Sequence, residues 1–420
     1  MTVSASGEIS IRRYWQAGQP EVTPTFSGSA LDYLDQTTRS AVELALQADV
    51  PVATYLSGGV DSALLAHYMR DLGADANSIS IGFGAASDET PAAQATAKHL
   101  GFQHHNTELT PDSFSRLSQV VTQMDRPVGD LLILAFDELA RHTSSLGYKV
   151  ALGGEGPDEH FAGYSFHKAY LTAQKIGPLG CKLAATTIDH LPSKILNHLA
   201  KFPAALGSEG RRKSAQYFRS FHSSTFFEKA TRLHTLFEPE EINKLLHPDL
   251  IAQQRDHEIT KSKEGPGDPM SELLALQYQH WLPDWSLIRQ DKNTMAHSLE
   301  YRAPFLDHRL IDFALTHPKE ALLHKPDKAL WRALAARHLP HEMTHRPKQP
   351  FYLPLEHPRW RKALIKTARE VLAPENLRKH NWLSPKAIEP LFEAQNFLPL
   401  KKLGALVILQ QWLNSVTSNS

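Results

Sequence analysis

Two short stretches carry residue types suited to phosphate chemistry: Ser57-Gly58-Gly59-Val60-Asp61-Ser62 and Gly153-Gly154-Glu155-Gly156-Pro157-Asp158-Glu159. The first sets two glycines among hydroxyls and adds one carboxylate. A glycine-rich turn between a strand and a helix gathers backbone N–H groups and the positive helix end on an anion. Alone, Ser-Gly-Gly is an ordinary tight turn, so the flanking elements decide. The spacings Gly-x-x-x-x-Gly-Lys-Ser/Thr and Gly-x-Gly-x-x-Gly after a strand are both absent. Without a loop lysine, Asp61 beside a polyphosphate needs a divalent cation between them, as Mg²⁺ usually provides. The second stretch puts three glycines and three acids at a strand end. If the sheet brings the turns together, Asp61 and Asp158 share one Mg²⁺. A merely acidic solvated turn is the plain alternative.

The elements that must position these residues follow from the apolar pattern. Val50, Val52, Ala53, Tyr55 and Leu56 form a run suited to one buried parallel strand. Ala63, Leu64, Leu65, Ala66, Met69 and Leu72 then give a helix that stops at Gly73. Further strands are expected at Ile79–Phe83, Gln103–Leu109 and from Val150. Helices fall between them, one over 92–100 and one from Asp130, its expected cap, to Gly147. A helix through Leu31, Leu34, Ala41, Val42 and Ala45 precedes the first strand. This alternation predicts an α/β, doubly wound parallel sheet, with ligands beyond the carboxyl ends of its strands. Gly82, after Ile81, marks the expected adenine slot, or simply a bend.

Beyond about residue 180 strand signals fade into helical pieces at 194–200, 217–227 and 242–246. The polar stretch 261–268 reads as a mobile loop or domain seam. The expected organisation is an N-terminal extension over 1–29, with Tyr14-Trp15 as anchor. An α/β core over 30–180 follows, then a large, mainly helical part over 181–420 that completes the site. Met295, Leu299 and Arg302 share one face if 291–307 begins as a helix, with Met295 and Leu299 in the core. Glu300 is a candidate catalytic carboxylate, or only the partner of Arg302. Lys348, in Arg346-Pro347-Lys348-Gln349-Pro350-Phe351, is a candidate for the cation that the first loop lacks.

Lys+Arg and Asp+Glu both number 45, which removes any charge argument for nucleic-acid or membrane binding. A single cysteine, Cys181, excludes an internal disulfide framework and fits a reducing compartment. The polar N-terminus and the lack of an apolar run of about 18 residues make a cytoplasmic enzyme the expectation. The 23 histidines match no zinc spacing, and His104-His105 face opposite ways on a strand.

SGGVDS in its strand–helix setting resembles the pyrophosphate loop of enzymes that cleave ATP to AMP and pyrophosphate. Together with GEGPDE, the stretch TMAHSLEYRAPFLD, Lys348-Gln349-Pro350-Phe351, Pro127-Val128-Gly129-Asp130 and the closing Leu403–Trp412 helix, the chain resembles the synthetase domain of the asparagine synthetase family. The resemblance implies an ATP-dependent amide-forming ligase that adenylates a small-molecule or peptide carboxylate and transfers it to ammonia or an amine. It implies ATP and Mg²⁺, with Ser57, Gly58, Gly59 and Ser62 on the pyrophosphate portion and Asp61 and Asp158 on the metal. Backbone at Tyr55, Leu56, Ile81, Gly82 and Gly154 would frame AMP. Lys348 would stabilise phosphate charge, Glu155 would assist proton removal from the amine, and Glu300 would share that work or orient Arg302. The family's glutaminase domain opens with a cysteine after the initiator Met. Here Thr2 follows Met1 and Cys181 is internal, so nitrogen is expected from ammonia, an amine or a partner.

Departures from the family pattern are Gly153 for Ser, Pro157 for Ala or Ser, Ala162 for Gly, Ala63 for a second Ser and Pro350 for Gly. They change loop shape, spare the charged groups and point towards a specialised natural-product or peptide substrate. Relatives that close β-lactams carry Tyr where Glu155 stands, which argues against that branch. Two other readings compete: a different AMP-forming pyrophosphate-loop enzyme, and a catalytically weak ATP-binding subunit. The neutral charge disfavours a tRNA-modifying version of the former. The joint presence of Asp61, Glu155, Asp158, Glu300 and Lys348 disfavours the latter.

Overall fold

The computed structural model describes residues 1–17, 29–84, 88–192, 207–252, 269–316, 328–346 and 351–418. The chain opens on a small antiparallel hairpin, β1 (Thr2–Val3) and β2 (Ile9–Ser10). Trp15 then donates its Nε1–H to the Asp312 carboxylate at 3.2 and 3.3 Å, while Tyr14 is exposed. Only the tryptophan of that pair is an anchor. Helix α1 (Ala30–Ala45) is capped by the Ser29 hydroxyl, which accepts from Asp32 N–H.

Alternation then runs as the apolar pattern predicts: β3 (Val52–Tyr55), α2 (Val60–Asp71), β4 (Asn77–Gly82), α3 (Thr90–Leu100), β5 (His104–Glu108), α4 (Leu117–Gln123), α5 (Ile133–Ser145) and β6 (Val150–Leu152). A last strand, β7 (Glu300–Arg302), comes from much later in the chain. The five strands make one parallel sheet in the order β5-β4-β3-β6-β7. The chain winds outward from β3 to β5, then returns to β3's other side at β6. That reversal opens a crevice at the carboxyl ends of β3 and β6. Leu64, Leu65 and Met69 of α2 pack with α1 and α3 on one side, and Leu139 and Ala140 of α5 meet Ala53, Ile79 and Ala151 on the other. Each fully buried leucine contributes about 1.5–3 kcal/mol.

Helices supply most of the remainder: α6 (Pro157–His160), α7 (Ser165–His190), α8 (Gly207–Ser220), α9 (Ile288–Met295), α10 (Ala329–His338), α11 (Pro358–Val371) and α12 (Phe397–Ser418). A π-helical run, Gln277–Leu287, leads into α9. The pieces expected at 194–200 and 261–268 lie outside the described residues. Three local expectations are corrected. Asp130 accepts from Leu132 N–H one turn ahead of α5 and does not cap that helix. Ser298, at φ 54°, ends the helical path, so Leu299 and Arg302 are not on the face of α9. Met295 is 56% exposed, so only Leu299 of the pair is core.

At Gly153 a Cβ would lie 1.9 Å from Tyr301 Oη and 2.5 Å from its Cζ, so the end of β6 and the middle of β7 fit as a glycine–tyrosine pair. Gly153→Ala is therefore expected to lower stability by about 1–3 kcal/mol, the usual overpacking penalty. Adding Tyr301→Ala should return part of that loss. Denaturant melts of both single variants and the double variant check this; strictly additive losses would show that the two positions are uncoupled.

Candidate active site

The crevice is a cavity of about 570 Å³, within the range of small-molecule sites. Its floor is the Ser57–Ser62 turn. Ser62 Oγ accepts from Ser57 N–H at 3.0 Å, and Ser57 Oγ accepts from Gly59 N–H at 3.1 Å, closing the loop on itself. Gly59 is the N-cap of α2 and no side chain caps it. The first-turn N–H groups of a twelve-residue helix therefore keep their capacity for an anion.

The Gly153–Glu159 turn faces this loop. A Cβ on Gly154 would stand 3.1 Å from Ser62 N and 3.2 Å from Asp61 C, so the two turns touch backbone to backbone. Asp61 and Asp158 converge on one cation, the ammonium of Lys328. Its Nζ lies 2.9 and 2.7 Å from the two Asp61 oxygens and 3.0 Å from Asp158 Oδ1. Trp331 Nε1–H donates to Asp61 Oδ1 at 2.8 Å. Burial opposes charge on Lys328, but the two carboxylates outweigh it and raise its pKa. Among the described residues, no group of three or more His, Cys, Asp and Glu side chains is arranged to hold a metal.

Glu155 lines the cavity beside this cluster. Gln290, in α9 and 3% exposed, donates to Glu155 Oε1 at 2.8 Å, and Glu155 Oε2 has no hydrogen-bond partner among the described residues. Burial raises the Glu155 pKa above the ordinary 4.5, only partly offset by Gln290, its own amide and Arg289. The Arg289 guanidinium stacks 4.4 Å over Phe136, pairs with Asp130 at 3.4 Å and also lines the cavity. Apolar walls come from Tyr55, Leu56, Ile81, Phe83, Phe136 and Phe351, with Phe351 5.2 Å from Phe83.

Most expected residues meet here: Tyr55, Leu56, Ser57, Asp61, Ser62, Ile81, Gly154, Glu155 and Asp158 line the cavity, as does Gly59. Gly58 does not; its Cα faces Ala92 Cβ, 3.0 Å from a would-be Cβ. Gly82 does not either. It makes room for the Asp88 carboxylate, which accepts from Phe83 N–H at 2.9 and 3.0 Å, and it is Phe83 that faces the cavity. Glu300 is also corrected. It opens β7 opposite Val150, at the amino end of the sheet, and its carboxylate takes 2.7 and 3.2 Å bonds from Arg302. Arg302 in turn donates to the carbonyls of Ala45 and Gln47. The pair is structural, across the sheet from the cavity. Lys348 lies outside the described residues, although Arg346, Phe351, Tyr352 and Pro354 on either side of it line the cavity.

Sequence reasoning missed Lys328, Arg289 and Gln290. Lys328 carries no motif and is identifiable only by what it touches. Arg289 and Gln290 sit just ahead of the 291–307 stretch, but nothing in the pattern distinguishes them from surface polar residues.

A doubly wound parallel sheet with an uncapped helix end and an acidic turn at its reversal has the α/β fold of the pyrophosphate-loop type. A family model described as asparagine synthase matches residues 33–414, and the chain belongs to that family. It is 27% identical over 373 residues to asparagine synthetase (glutamine-hydrolyzing) 1 of Bacillus subtilis, covering 85% of this chain and 54% of that protein. It is 24% identical over 418 residues to asparagine synthetase (glutamine-hydrolyzing) 3 of the same organism, covering 94% and 59%. The amidase chyE of Penicillium rubens is 36% identical over 151 residues, covering 32% and 22%. The chain thus spans little more than half the length of the two synthetases. Among the described residues no helix is long and apolar enough to cross a membrane.

The buried carboxyl of Glu155 has a measurable consequence. With its folded-state pKa raised above 4.5, the native state holds the proton more tightly than the unfolded chain. Stability from this group is present below about pH 4.5 and is lost as pH rises through the folded value. Glu155→Gln should therefore melt higher than wild type at pH 8, and the gap should close towards pH 4. Thermal melts across that range test it; a gap independent of pH would remove the buried charge as its cause.

Proposed function

We propose that the chain is an ATP-dependent, AMP-forming amide ligase. It activates a small-molecule or peptide carboxylate and passes it to ammonia or an amine, taken directly or from a partner protein. One observation carries this reading: an uncapped helix end, two carboxylates sharing one cation position and the enclosed carboxyl of Glu155 converge at the carboxyl ends of β3 and β6. Two carboxylates plus phosphate oxygens suit Mg²⁺, which rarely takes an all-protein cage. Asp61 and Asp158 would hold that ion, which would neutralise charge on the departing pyrophosphate.

The loop amides of Ser57–Ser62 grip the β,γ-phosphates, which leaves the α-phosphorus open to the substrate carboxylate. Oxygen–phosphorus bond formation expels pyrophosphate. Phe83, Phe351 and the backbone at Tyr55 and Ile81 bracket the base. The amine nitrogen then attacks the activated carbonyl, loses a proton to Glu155, and AMP leaves. Gln290 fixes one Glu155 oxygen so that the other can take that proton. Arg289 lies beside it, suited to an anionic group of the substrate. Lys328, Arg346 and Lys348 supply the cations that the loop lacks. The apolar walls and the departures at Gly153, Pro157 and Ala162 favour a substrate of natural-product or peptide type.

Two measurements test the reading. ATP cleavage that depends on the carboxylate should release AMP and pyrophosphate; ADP would overturn it. Glu155→Gln should keep carboxylate-dependent exchange of pyrophosphate into ATP, while amide formation falls about 10²–10⁴-fold, the usual contribution of a positioned base. Parallel loss of both activities would make Glu155 a binding residue.

A further inference from the structure

We propose that Lys328 makes the two-aspartate site reject free divalent metal and accept it only as a metal–nucleotide complex. This rests on the reading of Asp61 and Asp158 as the metal ligands. The Lys328 ammonium donates to Asp61 Oδ2 at 2.7 Å and Oδ1 at 2.9 Å, and it forms an ion pair with Asp158 Oδ1 at 3.0 Å. The nitrogen therefore stands where a cation bridging both carboxylates must sit. Mg²⁺ binds oxygen at about 2.0–2.1 Å, so the carboxylates cannot close on a metal while the ammonium stays between them. Entry of the metal is an exchange of one cation for another.

What the exchange leaves behind differs with the incoming species. The Lys328 side chain is 4% exposed, so expulsion by a bare ion strands a buried charge without a partner. A metal that arrives with a polyphosphate brings the anion that the displaced ammonium needs. The surroundings hold the lysine in place for this purpose. Its backbone is left-handed, φ 58° and ψ 42°, an unfavoured conformation for a residue with a side chain. Gly163 clears the space: a Cβ there would lie 1.9 Å from Asp158 Oδ1 and 2.9 Å from Lys328 Cδ.

Mn²⁺ counted as protein-bound metal, by equilibrium gel filtration in buffer of fixed free metal concentration, tests the proposal without any turnover. Wild type should bind Mn²⁺ at least tenfold more tightly with a non-hydrolysable ATP analogue than alone. Lys328→Met, which leaves the two carboxylates without their internal cation, should bind Mn²⁺ alone at least tenfold more tightly than wild type. Circular dichroism establishes that the variant is folded; if it is not, the wild-type comparison alone decides. Equal Mn²⁺ affinity with and without the analogue in wild type overturns the proposal, as does a folded Lys328→Met that binds Mn²⁺ no better. The double variant Asp61→Asn, Asp158→Asn separates the two layers. If it still takes up Mn²⁺ with the analogue, the ligand assignment fails; if uptake is lost, the lysine exchange is tested on its own ground.

Discussion

Three parts of the chain that are distant in sequence are bound together by one charge cluster, Asp61–Lys328–Asp158, built on the buried ammonium of Lys328. A like-charged pair of aspartates at the carboxyl ends of adjacent strands repels unless a cation lies between them. Removing one member of a buried pair leaves an uncompensated charge, which is strongly destabilising. The cation comes from the start of α10, so the helical part is tied to the sheet at the crevice itself. Beneath the cluster, Trp331 is fully buried, 5.5 Å from Phe161 and 4.9 Å from Phe305. His160 clamps the same layer, its ring nitrogens at 2.5 Å from Tyr278 Oη and from the Phe305 carbonyl. Burial holds His160 neutral, with a pKa lowered to about 4, as befits a ring used as a strut.

The same logic accounts for which parts of this arrangement are legible in the amino-acid sequence. β3 and β6 announce themselves because a parallel strand covered on both faces reads as a largely apolar run, and β4 shows itself by Ile79 and Ile81 set among small serines. The Ser57–Ser62 and Gly153–Glu159 turns are legible because glycines crowded with acids at the end of a buried strand make little sense as a solvated surface loop. β7 is not, since three residues carry no period and the preceding Asp291–Met295 segment is a true helix. Arg302 falls at a helical spacing from Met295 by coincidence; the left-handed Ser298 is the break, and a serine does not announce one. That coincidence lends Glu300 a chemical role that its place at the sheet's far end denies it. Lys328 is invisible for a different reason: its role lies in a tertiary contact, and one lysine before a helix looks like any other.

Charge in the crevice is arranged by depth. Asp61 and Asp158 share the Lys328 ammonium, whereas Glu155, held by the neutral carboxamide of Gln290, is left with a raised proton affinity. Two carboxyl environments within one turn thus diverge: one suits a cation, the other a proton. That divergence rests on α9, which brings Arg289 and Gln290 together, and α9 is fixed by the strand that follows it. The edge strand β7 therefore matters to the chemistry through Gln290, although its own Glu300 does not face the cavity.

The departures from the family pattern fit this picture, because each has a local physical reason that leaves the charged groups where they are. Gly153, in place of the usual Ser, yields its side-chain space to Tyr301, whose ring stacks 6.0 Å from Tyr55. Pro157 occupies the first position of α6, where its fixed φ suits the helix and its missing N–H would have had no helical partner. Ala63 is buried on α2, where a hydroxyl would need a partner. Ala162 is the telling case. Where the usual residue is Gly, this alanine keeps a left-handed φ of 52°, at an expense of roughly 1–2 kcal/mol for an L-residue. The conformation survives because the Gly163 N–H bonds the Asp158 carbonyl at 2.8 Å and the alanine methyl packs in the core. Backbone shape at this turn runs against the local preference of its residue. The constraint that outranks that preference is the position of the Asp158 carboxylate beside Lys328.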